Sequence, residues 1–289
     1  MNKKNIILVP TDFSEVCDNA LNHGCDLAKH FDFEVYVLHV ITKETKKILE
    51  KTGETIDDIK KRLADYAKSK EEQYGVKVVP ITEEGNIFDT IGKVSKDINA
   101  GLIVLGTHGK VGFQRLTGSY ALKVINNTDV PTIVVQKKPL KSGYKNIVFP
   151  VTLYTEDRQK VNIAISIALA FDATIHIVPK YELSKSENAK IKAIVKQIME
   201  IFEDKGVRFV FKVKEEDITG NFAKTVIDYA VVNDADLIMI VTQAKATLPM
   251  FDSWDEQIIF NSSQIPVMCI NPARVKKIKF STSSSWYGF

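Results

Sequence analysis

The sequence predicts two tandem α/β domains of one design, each a doubly wound parallel sheet with helices on both faces. Three observations carry this. Short unbroken apolar runs such as Asn5-Ile-Ile-Leu-Val-Pro10 and Ala100-Gly-Leu-Ile-Val-Leu105 have the length and uniformity of strands buried on both sides. Segments with apolar residues at helical spacing lie between them, and that alternation implies right-handed crossovers within a parallel sheet. The third observation is internal self-similarity. Aligning Pro10 with Pro150 brings Phe31-Asp32 onto Phe171-Asp172, a displacement of 140 residues without a gap. Aligning Gly85-Asn86 with Gly220-Asn221 brings Thr90 onto Thr225 and Val130-Pro131 onto Ile265-Pro266, a displacement of 135. The five-residue difference falls in the variable connection before the third strand.

In the first repeat, Asn5–Pro10 is the first strand and Thr11-Asp12-Phe13-Ser14 the turn that leaves it. Cys17, Ala20, Leu21, Gly24, Leu27, Ala28 and Phe31 recur at three- and four-residue steps, so a helix follows with Ser14 as its cap. Glu34–Val40 reads as the second strand, residues 43–74 as charged and helix-prone, and Val76–Pro80 as the third strand. Gly85 opens a segment leading to a helix over 87–98, and Ala100–Leu105 is the fourth strand. A glycine-rich loop, Gly106 to Ser119, leads to a helix beginning near Tyr120, with Ser119 placed to cap it. Pro131–Gln136 ends the first repeat and Pro266–Asn271 the second. A terminal edge strand exposes unpaired backbone, and pairing the two across a pseudo-two-fold axis would make a dimer within one chain. An ordinary domain contact is the alternative, and association of whole chains into a homodimer stays open. The expected divisions are a domain over 1–137, a polar linker over 138–145 carrying Pro139 and Gly143, a second domain over 146–272 and a tail over 273–289.

The 289 residues, 45% apolar and 26% charged, have the balance of a soluble globular protein of about two domains. A formal charge of +3 gives no reason to expect a nucleic-acid surface. Apolar runs are strand-sized, so no membrane span is expected, and Met1–Asn5 leads directly into a strand, so no leader is expected either. Cys17, Cys25 and Cys269 show no CxxC spacing and fall within apolar patterns, which reads as buried free thiols in a reducing cytoplasm.

In an open parallel sheet, ligands sit at the carboxyl ends of strands. Three segments reach that edge: Pro10-Thr11-Asp12, His39-Val40, and the loop from Gly106 to Ser119. Asp12 could accept from a base or ribose donor, and Val40 could offer backbone groups and an apolar face. Backbone N–H groups at Gly106, Gly109 and Gly118, with the Ser119 hydroxyl and the start of a helix, suit a phosphate. His108 stands between Gly106 and Gly109, while Lys110 and Arg115 could add charge. Each has a plainer reading: Asp12 as a helix cap, His39 as a structural histidine, His108, Lys110 and Arg115 as solvated loop residues.

These segments together are similar to the universal stress protein family. The resemblance rests on Val9-Pro-Thr-Asp-Phe-Ser14, Leu38-His-Val40 and Gly106-Thr-His-Gly109…Gly118-Ser119, and in its tandem form it extends over nearly the whole chain. It implies a Rossmann-like five-stranded parallel sheet in each domain and dimerisation through the last strand. Its ATP-binding branch carries Gly-x2-Gly-x9-Gly-Ser/Thr. By position the resemblance implies adenine contacts at Asp12 and Val40, phosphate contacts at Gly106, Gly109, Gly118 and Ser119, and Pro10 and Thr11 lining the pocket. ATP is the implied ligand, with Mg2+ when ATP is bound; AMP or another adenylate is the alternative. Eight residues, 110 to 117, separate Gly109 from Gly118, one fewer than the pattern. That residue is worth about 3.5 Å of reach. A tighter turn at Gly112 absorbs it, or Ser119 is drawn off the phosphates.

In the second repeat Thr11 and Asp12 become Val151 and Thr152, and His39-Val40 becomes Pro179-Lys180. Gly106, Gly109, Gly118 and Ser119 become Val241, Ala244, Ser253 and Trp254, followed by Asp255 and Glu256. Side chains replace bare backbone there, and two carboxylates occupy the helix start that would face an anion. This repeat is expected to be a degenerate scaffold, with Trp254 filling the vacated pocket or meeting a partner.

The leading expectation is a cytoplasmic stress-response or signalling protein that binds an adenine nucleotide and is not an enzyme. A non-binding interaction protein of the same fold and a very slow ATPase are the alternatives. No Gly-Lys-Ser/Thr phosphate loop and no obvious nucleophile–base pair supports turnover.

Overall fold

Burial on both faces selects the central strand of the first repeat. The computed structural model describes residues 5–107, 118–140, 143–153, 160–211, 221–242 and 254–271. In it, β1 (Ile6–Pro10) is buried at every position, with Ile7 and Leu8 wholly so. Burying such side chains contributes about 1.5–3 kcal/mol each. The chain divides into two compact units, with the boundary between Pro139 and Leu140.

In the first unit β1 is followed by α1 (Glu15–Phe31), β2 (Glu34–Ile41), α2 (Lys43–Thr52), α3 (Ile56–Tyr74) and β3 (Val78–Glu84). Then come α4 (Ile87–Asp97), β4 (Leu102–Gly106), α5 (Gly118–Asn127) and β5 (Thr132–Val135). The strand order is β3-β2-β1-β4-β5, every pair parallel. Ile7 stands beside Val35 on one side and Leu102 on the other, so β1 and β4 adjoin at the point where strand order reverses. The apolar positions read from the sequence on α1, from Cys17 to Phe31, are all buried.

Two expectations shift. The helix-prone stretch 43–74 is two helices, because Gly53 takes a left-handed conformation (φ 74°) and closes α2. Thr55 and Asp58 then form a reciprocal capping box that starts α3 afresh. The third strand begins later than Val76 and runs on to Glu84, with Pro80 inside it. β3 is an edge strand of this unit, where a residue without an N–H is tolerated.

The second unit repeats the plan: β6 (Asn146–Val151), α6 (Val161–Phe171), β7 (Thr174–Pro179), α7 (Lys185–Asp204) and β8 (Arg208–Phe211). After these come α8 (Phe222–Val232), β9 (Leu237–Val241), α9 (Trp254–Ile259) and β10 (Val267–Ile270). Its order is β8-β7-β6-β9-β10, again parallel. The repeat is reproduced in detail. Asp32 and Asp172 end α1 and α6 in the same left-handed conformation, at φ 53° and 50°. Asn86 and Asn221 cap α4 and α8 through their side chains. All three cysteines are free and buried.

His23 on α1 is wholly buried, with its Nε2 3.3 Å from the Lys138 carbonyl. Asn19, one turn earlier, donates to the carbonyls of Gln136 and Lys138 at 2.7 and 2.9 Å, so α1 anchors the segment after β5. Burial lowers the His23 pKa from 6.5 to about 4, against the Lys138 bond, which raises it. The unfolded chain therefore binds the proton first, and stability falls as pH drops from 6.5 towards 4. Urea denaturation at pH 7 and pH 5 is expected to show a loss of about 2 kcal/mol that disappears in His23→Gln.

Candidate functional site

At the carboxyl end of β1 the chain leaves the sheet through a turn held by its own side chains. The Thr11 N–H donates to the Leu38 carbonyl at 2.7 Å, keeping the strand end against β2. Thr11 Oγ1 then accepts the Phe13 N–H at 3.0 Å, and Asp12 Oδ1 accepts the Ser14 N–H at 2.9 Å. Such side-chain-to-backbone bonds are how short polar residues shape turns. Ser14 stands at the N-cap of α1, yet its hydroxyl makes no capping bond, which corrects the expectation of a side-chain cap. The local bond is made one step earlier, by Asp12.

Phe13 adopts a left-handed backbone, φ 64°. For an aromatic residue this costs on the order of 1–3 kcal/mol and must be held by its surroundings. Its ring stacks on His39 with centroids 4.9 Å apart and meets the Tyr66 ring at 6.0 Å. The Arg62 guanidinium lies 5.7 Å from the Phe13 centroid. His39 is itself fixed, with its Nδ1 2.9 Å from the Thr11 carbonyl, and it also lines the cavity beside this turn.

Tyr66 is held from behind. Its hydroxyl donates to Asp18 at 2.7 Å, and the Lys70 ammonium reaches the same carboxylate at 2.8 Å. Burial alone would raise the Asp18 pKa, but the hydrogen bonds from Lys70 and Tyr66 outweigh it and hold the carboxyl below its usual range. Burial, then the bond to Asp18, raises the Tyr66 phenol well above its ordinary value. Cys17, in the first turn of α1, is pushed up to about 12 by burial and then by the Asp12 charge, so it stays a thiol and not a nucleophile.

A cavity of about 820 Å³ opens beside this turn, a size usual for small-molecule sites. Pro10 at the end of β1 and Thr11 and Asp12 just after it line one side, with Leu38, His39, Val40 and Ile41 from β2. Its far wall is the start of α2, from its cap Thr42 to Lys46, together with Glu84 to Asn86 ahead of α4 and Ile87 and Phe88 in its first turn. Lys46 and Glu84 pair at 2.6 Å, linking α2 to the end of β3.

Of the residues singled out from the sequence, Pro10, Thr11, Asp12, His39 and Val40 share this cavity. Gly106 is not in its lining; it is the last residue of β4. A Cβ there would lie 2.6 Å from the Val16 carbonyl oxygen and 3.0 Å from Cys17 Cα, so β4 and the start of α1 can approach only because the residue is glycine. Gly118 opens α5 and Ser119 lies within its first turn rather than ahead of it. His108, Gly109, Lys110 and Arg115 lie outside the described residues. The α2 wall was missed, although its signal was present: Thr42 caps α2 and Asn86 caps α4, both at the edge that carries the site.

The corresponding edge of the second unit is built differently. Thr152 stands where Asp12 does and is 3% exposed, and Val241 fills the place of Gly106. Lys160, wholly buried, donates its ammonium to the Pro150 carbonyl and lies 4.5 Å from the Phe149 centroid. Lys180, in the place of Val40, pairs with Glu182 at 2.8 Å. Trp254 begins α9 and packs on Phe222 with centroids 5.4 Å apart; Ala244 and Ser253 lie outside the described residues.

A parallel sheet with a cavity at the ends of its first two strands, beside the reversal of strand order, places the protein among Rossmann-like α/β proteins. The profile of the Universal stress protein family matches residues 4–136. A universal stress protein of Methanocaldococcus jannaschii is 38% identical over 142 residues, 47% of this chain and 83% of that protein. Another from the same organism is 33% identical over 153 residues, 46% of this chain and 94% of that protein. The chain therefore belongs to the universal stress protein family. A crystal structure of a universal stress protein from Archaeoglobus fulgidus shares the fold, with a TM-score of 0.75 at 19% identity over 93% of this chain and 99% of that one.

Because Gly106 meets helix backbone, Gly106→Ala is expected to destabilise the ligand-free protein by about 1–3 kcal/mol, read by urea denaturation. An unchanged midpoint would show that the two elements part freely.

Proposed function

We propose that the first unit binds an adenine nucleotide, ATP foremost with AMP or another adenylate as alternatives, and that the protein acts in a stress response or in signalling through that binding rather than through turnover. The observation that carries this reading is the cavity of about 820 Å³ at the ends of β1 and β2, with Asp12 in its lining. A purine needs apolar contact on its faces and a few polar groups at its edge. Leu38, Val40 and Ile91 supply the first, and Asp12 with the backbone near Val40 the second. The stretch containing Gly106, His108, Gly109, Gly118 and Ser119 joins β4 to α5 and so leaves the same end of the sheet. Backbone N–H groups there, next to a helix start, would take the phosphates, with Mg2+ arriving on ATP.

The second domain, residues 146–272, keeps the framework but carries Thr152 and Val241 at the equivalent positions and a buried Lys160 nearby. Its proposed role is that of a scaffold.

Isothermal titration of the full chain with ATP and magnesium is expected to show one site, weakened about tenfold or more by Asp12→Ala, as for loss of a charged hydrogen-bond partner. Absence of heat at millimolar ATP, AMP and adenosine would reject the reading.

A further inference from the structure

Beside the cavity the first unit carries an assembly in which the His39 ring lines the cavity while Phe13, Tyr66 and Arg62 stand outside its lining. Both hydrogen bonds that shape the ligand-facing turn depend on the backbone of Phe13. Its N–H reaches Thr11 Oγ1, and its φ of 64° directs the following Ser14 N–H to Asp12 Oδ1. A left-handed aromatic residue does not maintain itself. Here the ring is held by three contacts, His39 at 4.9 Å, Tyr66 at 6.0 Å and Arg62 at 5.7 Å, and the last two come from α3.

α3 is in turn locked to α1. Asp18 accepts from Tyr66 at 2.7 Å, from Lys70 at 2.8 Å and from Asn22 at 3.2 Å, and Lys70 donates to Asn22 Oδ1 at 2.7 Å. The result is a connected path from one helix of the second crossover, through an aromatic ring, to Asp12 in the cavity lining. The second unit supplies a contrast. Where Asp12-Phe13 stands in the first, it has Thr152-Leu153, and Leu153 is not among the left-handed residues. The carboxylate and the strained aromatic are lost together.

We infer that α3 clamps the Asp12 turn through Phe13, so that Phe13, Tyr66 and Arg62 are positioning residues for the nucleotide that Asp12 receives. The inference rests on the proposed adenylate site and deepens it. Phe13, Tyr66 and Arg62 act through Asp12 and not from the cavity lining; His39, which Phe13 also touches, does line it, and dependence on Asp12 separates the clamp from that route and from a general loosening of the domain.

The test is a double-mutant cycle on the full chain, with ATP affinity measured by isothermal titration and folding followed by thermal denaturation. Phe13→Leu keeps apolar bulk and removes the flat face that His39 and Arg62 require. It is expected to weaken ATP binding about tenfold in the wild-type background and to add nothing in the presence of Asp12→Ala. An affinity equal to wild type, or a loss that adds fully to that of Asp12→Ala, overturns the clamp while leaving the site intact. Tyr66→Leu, which lies off the turn, carries the same two outcomes should Phe13→Leu fail to fold. A wild-type chain that binds no adenylate overturns the site and the clamp together, and that arm is read without any variant.

Discussion

A strand buried on both faces has nothing to offer a ligand along its length. β1 is such a strand, flanked by β2 and β4 and wholly apolar to Pro10. What β1 brings to the cavity is therefore gathered at its end, where the chain must turn within four residues to enter α1. The tight seat of α1 against Gly106 leaves that turn little freedom, and Thr11 and Asp12 spend side-chain hydrogen bonds on shaping it. Asp12 thus has two neighbourhoods, one the backbone of its own turn and one the cavity.

The two units show how much of this arrangement can change while the sheet stays fixed. Strand orders are the same, and the left-handed Asp32 and Asp172 recur at matching helix ends. The differences lie at the carboxyl edge. The first unit has a carboxylate and an open space there; the second has a hydroxyl and a lysine ammonium folded onto the carbonyl of Pro150. A buried ammonium against a carbonyl and an aromatic face finds in the protein what water would otherwise provide.

Much of the frame was legible because buried parallel strands leave unbroken apolar runs and the repeat could be checked against itself. Five residues of the cavity lining, Pro10, Thr11, Asp12, His39 and Val40, were legible for a related reason, since the ends of strands in an open sheet are where cavities for ligands form. What stayed hidden depends on long-range neighbours. The left-handed Phe13 is set by rings on β2 and α3, and Lys160 looks like any charged residue before a helix. The late start of β3 and its Pro80 make sense only once β3 is known to be an edge. Gly106 was legible as a special glycine, but its immediate neighbour is the backbone of α1.

The unequal second crossovers have a consequence for size rather than chemistry. In the first unit that crossover holds α2 as well as α3, and the first turn of α2 walls the cavity; in the second, α7 spans the distance alone. α2 buries only Thr45 and Leu49, so it is a light partition hung on a heavy framework. Lengthening or trimming such a partition would resize the chamber without disturbing a single strand, and relatives sharing one sheet could thereby accommodate guests of quite different bulk.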